Sequence, residues 1–112
     1  MIMRRWRGAV RAEDAERYLQ HQADTGVGDY RATDGNLGVI VLSRTVGNLV
    51  EVVDLSLWES MDAVRAFAGD DPGRARFYPG DDDLLVERDD HADHWQVVEA
   101  DLDARLARSR AA

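Results

Sequence analysis

His94, Tyr78 and Arg44 are the side chains of this sequence best suited to moving a proton or holding developing charge. A histidine titrates near neutrality, so His94 on a pocket wall could act as general base, proton donor or axial ligand to haem iron. It stands beside Trp95 on an expected last strand, and strand alternation sends the two to opposite faces. A buried tyrosine hydroxyl needs a partner, and Tyr18 and Tyr78 could each find one on a substrate oxygen. Arg5, Arg7 and Arg44 sit on expected strands, where an inward guanidinium must be paired. Asp54 on the neighbouring strand is the expected partner, and a substrate carboxylate is the alternative.

Aromatic side chains form the second group. Trp6, Tyr18, Trp58, Phe67, Phe77 and Tyr78 fall on elements able to wrap one cavity, and a planar ligand suits such walls. Helix and strand spacing also places aromatics in ordinary core, and most of these six fit that reading too. The third group is acidic: Asp81 to Asp83, Asp89, Asp90 and Asp93, with His91 and His94, crowd two loops. Their spacing matches no calcium-binding loop of the EF-hand kind, and the expectation is a solvated rim with no metal.

Composition narrows the chemistry. The 112 residues contain no cysteine, which removes disulfides, zinc thiolates, iron–sulfur clusters and thiol nucleophiles. All fourteen cations are arginines, so no lysine is present to form a Schiff base. The net charge of −8 gathers in the second half and repels phosphate backbones, which argues against nucleic-acid binding. No apolar run is long enough for a membrane span, and the basic start is not followed by an export-type segment; the cytoplasm is the expected compartment.

These side chains must be positioned by a small set of elements. Residues 3–10 read as a strand and 12–22 as a helix with acids in its first turn, ended by Gly26 and Gly28. A loop through Tyr30 then reaches Gly35-Asn36. Residues 37–42 and 49–58 are the clearest strands, joined at Gly47-Asn48, a hairpin pair. Ser60 caps a short helix over 61–68, stopped at Gly69. Pro72 is expected to start a further helical turn carrying Ala75, Phe77 and Tyr78. An apolar run at 84–86, a last strand over 94–98 and a polar helix or tail from 99 onward complete the chain. The order strand, helix, strand, strand, helix, strand is the βαββαβ arrangement of ferredoxin-like α+β folds, with a four-stranded antiparallel sheet. Both central strands are apolar on their two faces. Helices cover one face, and 112 residues leave too little chain for the other, which points to a partner subunit.

Trp58-Glu59-Ser60 running into a helix that ends Ala66-Phe67-Ala68-Gly69 resembles the antibiotic biosynthesis monooxygenase-like family of dimeric α/β barrels. Trp6-x-Gly8, Tyr18, Gly35-Asn36, Phe77-Tyr78-Pro79 and His94 accompany it, so the resemblance spans residues 3–99. It implies one domain over 1–99, a polar tail over 100–112, and a homodimer whose sheets pack face to face. It further implies a pocket in each subunit between sheet and helices, lined by Trp6, Tyr18, Trp58, Phe67 and Phe77. The activity implied is that of a monooxygenase-like enzyme on a small planar or aromatic molecule, using O₂ without a tightly held cofactor. In it His94 or Tyr78 would move a proton, and Arg44 or Arg7 would stabilise enolate charge. A non-catalytic ligand-binding or accessory dimer and a haem-binding protein are the alternatives. The haem-degrading branch shares the Trp-x-Ser step, matched by Trp58 and Ser60. Its catalytic Trp, haem-ligating His and strand-one Asn fall on Phe67, Phe77 and the Trp6-Arg7 step, so all three are replaced here.

Overall fold

A computed structural model describes residues 1–107. Strand β1 covers Ile2–Arg11 and is followed by a 3₁₀ turn at Ala12–Asp14 and helices α1, Ala15–Asp24, and α2, Gly26–Ala32. Strands β2, Asn36–Val46, and β3, Leu49–Trp58, form the hairpin, and α3 spans Met61–Ala68. A helical turn α4 at Asp81–Leu84 leads to β4, Leu85–Arg88, and β5, Asp93–Gln96; a 3₁₀ turn at Ala104–Leu106 comes last. The sheet order is β2-β3-β1-β4, with β5 also on β1, and every pairing is antiparallel. This is the ferredoxin-like order with its fourth strand broken in two. The expected last strand at 94–98 is therefore shorter: it stops at Gln96, and the apolar run near 84–86 supplies the other half.

Alternation fixes two faces. Arg4, Trp6, Gly8 and Val10 of β1 share one with Val52, Asp54, Ser56 and Trp58 of β3, because Arg4 pairs with Ser56 and Trp6 with Asp54. The helices cover this face with two apolar groups. Trp6, Val10, Tyr18, Val52 and Leu84 form one, and Tyr30, Trp58, Ala63, Val64 and Phe67 the other. Trp58 is fully buried, and its indole N–H donates to Ser56 Oγ at 2.9 Å. The opposite face is open. Ile40, Leu42, Val46 and Trp95 are exposed there, beside Leu55 and Leu57 of β3.

Two expectations about local structure are overturned. The first helix does stop at Asp24, just before Gly26, but the expected loop through Tyr30 is instead helix α2, which begins at Gly26 and carries Tyr30 into the core. A Cβ on Gly28 would crowd the Ala23 carbonyl at 3.0 Å, whereas one on Gly26 would make only ordinary contact with the Tyr78 ring at 3.5 Å. Residues 72–78 form no helical turn. The carbonyls of Pro72 and Arg74, which a helix would use internally, accept hydrogen bonds from the Arg4 guanidinium, and Ala75 N–H goes to Asp90 O. Tertiary partners thus override the local turn. Of the expected polar helix or tail from 99 onward, the described residues show only the 3₁₀ turn, with Leu102 and Leu106 exposed; its last part lies outside them.

Gly35 shows why Gly35-Asn36 precedes the hairpin. Its φ is +87°, and a Cβ there would lie 2.5 Å from Ala63 Cβ of α3. Its carbonyl accepts from Glu59 N–H, while Asn36 Nδ2 donates to Leu57 O, so the pair locks the start of β2 to the end of β3. Gly35→Ala combines left-handed strain with overpacking and is expected to lower stability by about 2–4 kcal/mol. Urea unfolding of the variant checks this, and an unchanged midpoint would count against the packing described.

Candidate functional site

Between the two apolar groups, on the helix-covered face of the sheet, lies a cavity bounded by Arg4, Trp6, Asp54, Phe67, Arg76 and Tyr78, with Tyr18, Gln22 and Tyr30 from the helices. Its volume is about 30 Å³, room for roughly two waters as it stands. Trp6 lies across Gly8, where a Cβ would approach the indole to 2.6 Å, and its N–H donates to Asp89 O at 2.8 Å. That close approach explains Trp6-x-Gly8: the glycine lets the ring lie flat along the sheet.

Asp54 is the group that sequence reasoning placed wrongly. It is 4% exposed and lines the cavity, on the face opposite Arg5, Arg7 and Arg44. Those arginines pair elsewhere. Arg7 and Arg44 both meet Glu51 at 2.6 Å, Arg7 also reaches Glu87, and Arg5 faces Asp89 and Asp93. Burial pushes the Asp54 carboxyl up to about 7, against a hydrogen bond from Gln22 that favours its ionised form. The Gln22 oxygen accepts from the Tyr18 hydroxyl at 3.2 Å, which leaves the Gln22 amide N–H free to serve Asp54. Asp54 Oδ1 has no hydrogen-bond partner. The signal available in the sequence was parity within β3, which puts Asp54 with Val52, Ser56 and Trp58.

Arg4 is the second group missed. It is 2% exposed, and its Nη atoms donate to the carbonyls of Pro72 and Arg74. Nη1 also lies 3.1 Å from His94 Nε2, so a neutral imidazole accepts there. Burial, and then the charge of Arg4, hold His94 below its ordinary value, which keeps it in that neutral form. His94 therefore supports Arg4 from the pocket side of β5, while Trp95 takes the open face as alternation requires.

The remaining expected residues separate. Trp6, Tyr18, Phe67, Phe77 and Tyr78 all line the cavity. Trp58 lies behind Phe67 and Tyr30, with ring centroids 5.7 and 6.0 Å away. The Tyr78 hydroxyl donates to Asp29 Oδ2 at 2.8 Å, and burial pushes its own ionisation upward, so it closes the cavity and is no base. Arg76 joins this cover, stacking on Phe67 and Tyr78 and facing Asp29. Arg44 is 74% exposed on the other face and does not reach the cavity. In the acidic loops, Arg88 holds Asp82 and faces Asp90, while Asp81 is held by His21 and the Tyr78 N–H. Among the described residues no three histidines or carboxylates gather around an ion position, and no helix is long and apolar enough to cross a membrane.

As it stands the cavity holds neither a porphyrin nor a single aromatic ring, so either would need the Arg76–Tyr78 cover to move, and His94 Nε2 would have to give up its contact with Arg4 to ligate an iron.

No protein-family model matches the sequence, and neither does any curated protein. Solved structures do match. A protein of Bacillus cereus provisionally named an antibiotic biosynthesis monooxygenase superposes with a TM-score of 0.63 at 19% identity, over 92% of this chain and 96% of that one. One from Deinococcus radiodurans, named in the same provisional way, gives 0.62 at 15% identity over 91% and 97%. A single-site mutant of MhuD with two manganese protoporphyrin IX molecules per active site gives 0.57 at 18% identity over 92% and 100%. The chain thus has, over nine-tenths of its length, the fold of the antibiotic biosynthesis monooxygenase-like proteins.

Proposed function

We propose that this protein is a homodimeric monooxygenase-like enzyme in which Asp54 takes a proton from a compact planar substrate held between sheet and helices. The observation that carries this is a buried carboxyl with an unpartnered oxygen on a cavity wall, poised near neutrality as a general base must be. Aromatic walls from Trp6, Phe67 and Phe77 suit a ring, and Arg4 supplies positive charge where an enolate or phenolate would form. Such an anion is electron-rich enough to meet O₂ directly: a phenol-type ring and O₂ give a quinone and water, with no external reductant. A ring enters by displacing the Arg76–Tyr78 cover from Asp29. The homodimer is supported by the open apolar sheet face and by the shared fold.

Oxygen uptake with a panel of phenolic and enolisable ring compounds tests the activity. Turnover is expected with at least one, reduced about 100-fold or more by Asp54→Asn. A non-catalytic accessory dimer is favoured by two observations, the small cavity and the engaged His94. It stands if no compound is turned over and none perturbs the Trp6 or Phe67 environment.

A further inference from the structure

The partners of the Arg4 guanidinium are neutral: two backbone carbonyls, an imidazole and the Tyr30 phenol, which burial keeps protonated. Burying a cation without a counter-ion is costly, and an anionic ligand would supply the missing charge. Its Nε is buried with no hydrogen-bond partner, on a residue that lines the cavity. The second buried orphan, Asp54 Oδ1, lines the same cavity from β3, one strand away and diagonal to Arg4 across the Arg4–Ser56 and Trp6–Asp54 pairs. The other charged groups on the wall already have partners: Arg76 faces Asp29, and the Asp81 oxygens are taken by His21 Nε2 and the Tyr78 N–H.

We propose that the site takes a planar organic monoanion, a carboxylate or an enolate-type oxygen pair, with one oxygen on Arg4 Nε and the other on Asp54. This rests on the enzyme reading above and deepens it by assigning the substrate class of the same cavity: an anion held by protonated Asp54 is the state reached once ionised Asp54 has taken the proton of a neutral phenol or enol. Two water-sized spaces are what two anionic oxygens need, while the ring extends under Phe67 and Phe77 toward the Arg76–Tyr78 cover. An anion satisfies both orphans at once when Asp54 carries its proton and donates it. When Asp54 is ionised, two negative charges face each other in a dry site. The groups that face Asp54 are Arg4 of β1, Tyr18 and Gln22 of α1, Tyr30 of α2 and Asp81 of α4, and burial keeps both phenols protonated across the neutral range.

Benzoate and its neutral isostere benzamide discriminate the possibilities, titrated into the full chain while the Trp6 indole N–H resonance is followed. Benzoate is expected to bind at about pH 6 at least tenfold more tightly than benzamide, and to weaken by a similar factor by about pH 8.5. In Asp54→Asn, whose amide donates at any pH, that weakening is expected to vanish. Arg4→Gln is expected to erase the preference for benzoate. Because Arg4 also holds the 72–74 segment, this variant counts only if its circular dichroism is native; otherwise the pH series and Asp54→Asn decide. Equal affinity for the two probes would overturn the anion class and leave a pocket for neutral rings. A benzoate affinity that is flat with pH in the unmodified protein would overturn the role given to Asp54. Failure of both probes to move the resonance at millimolar concentration would overturn this proposal together with the pocket on which it rests.

Discussion

Asp54→Asn is expected to make the protein more stable at about pH 8, by roughly 3 kcal/mol, while leaving it close to the unmodified protein near pH 4. In the unfolded chain this carboxyl titrates at its ordinary 3.8; in the fold, burial raises it to about 7. The folded state therefore holds a proton that the unfolded state has released at every pH between those values. Stability from this group is unaffected below about pH 4, falls as pH rises from 4 to 7, and levels off above 7. A gap of about three pH units corresponds to roughly 4 kcal/mol at the plateau. Asparagine keeps the shape and an acceptor but leaves amide N–H atoms facing the cavity, which takes back about 1 kcal/mol.

For a domain of this size the difference at pH 8 amounts to roughly 10 °C in Tm. Thermal unfolding of both proteins across that range gives the curves to subtract, so the other carboxylates cancel. A constant difference between them would mean that Asp54 titrates normally, and the general-base assignment would lose its physical basis. A gain in stability joined to a loss of turnover is the pattern of a destabilising residue kept for function. Loss of both would instead mark Asp54 as structural.

Strand periodicity and turn chemistry made most of the frame legible. The hairpin residues, the Ser60 cap that accepts from Ala63 N–H, the Gly69 stop and the split βαβ order all follow from local rules. What stayed hidden depends on register and on tertiary partners. Nothing local tells that Glu51 stands opposite Arg44, whereas Asp54 stands opposite Val41 and Trp6, so the arginines were matched with the wrong acid. Nothing local tells that Arg4 will claim the carbonyls of Pro72 and Arg74 and unwind an expected turn. The aromatic lining was legible because residue type and face suffice for it. The buried carboxyl of Asp54 was not, since an aspartate is pushed toward neutrality only by what surrounds it.

The open face of the sheet yields the other large effect. Leu42 projects from the middle of β2, opposite Val53, with Ile40 and Val46 exposed along the same row and Trp95, 61% exposed, at the far edge on β5. Such a patch resembles half a core, and two copies related by a twofold axis would cover each other's rows. Arg7, Arg44, Glu51 and Glu87 form a paired charge group within it, which adds orientation to the contact without leaving a bare charge. Leu42→Asp would place a carboxylate there, twice in a symmetric dimer. Each has to be desolvated without a partner, at several kcal/mol, so the dimer dissociation constant is expected to rise about 1000-fold or more. Sedimentation of the unmodified protein should give twice the chain mass and that of Leu42→Asp one chain mass. Thr45→Asp, whose side chain leaves β2 from the opposite face, should stay dimeric. If the unmodified chain sediments as a stable monomer, the homodimer falls, and the apolar row needs a different occupant.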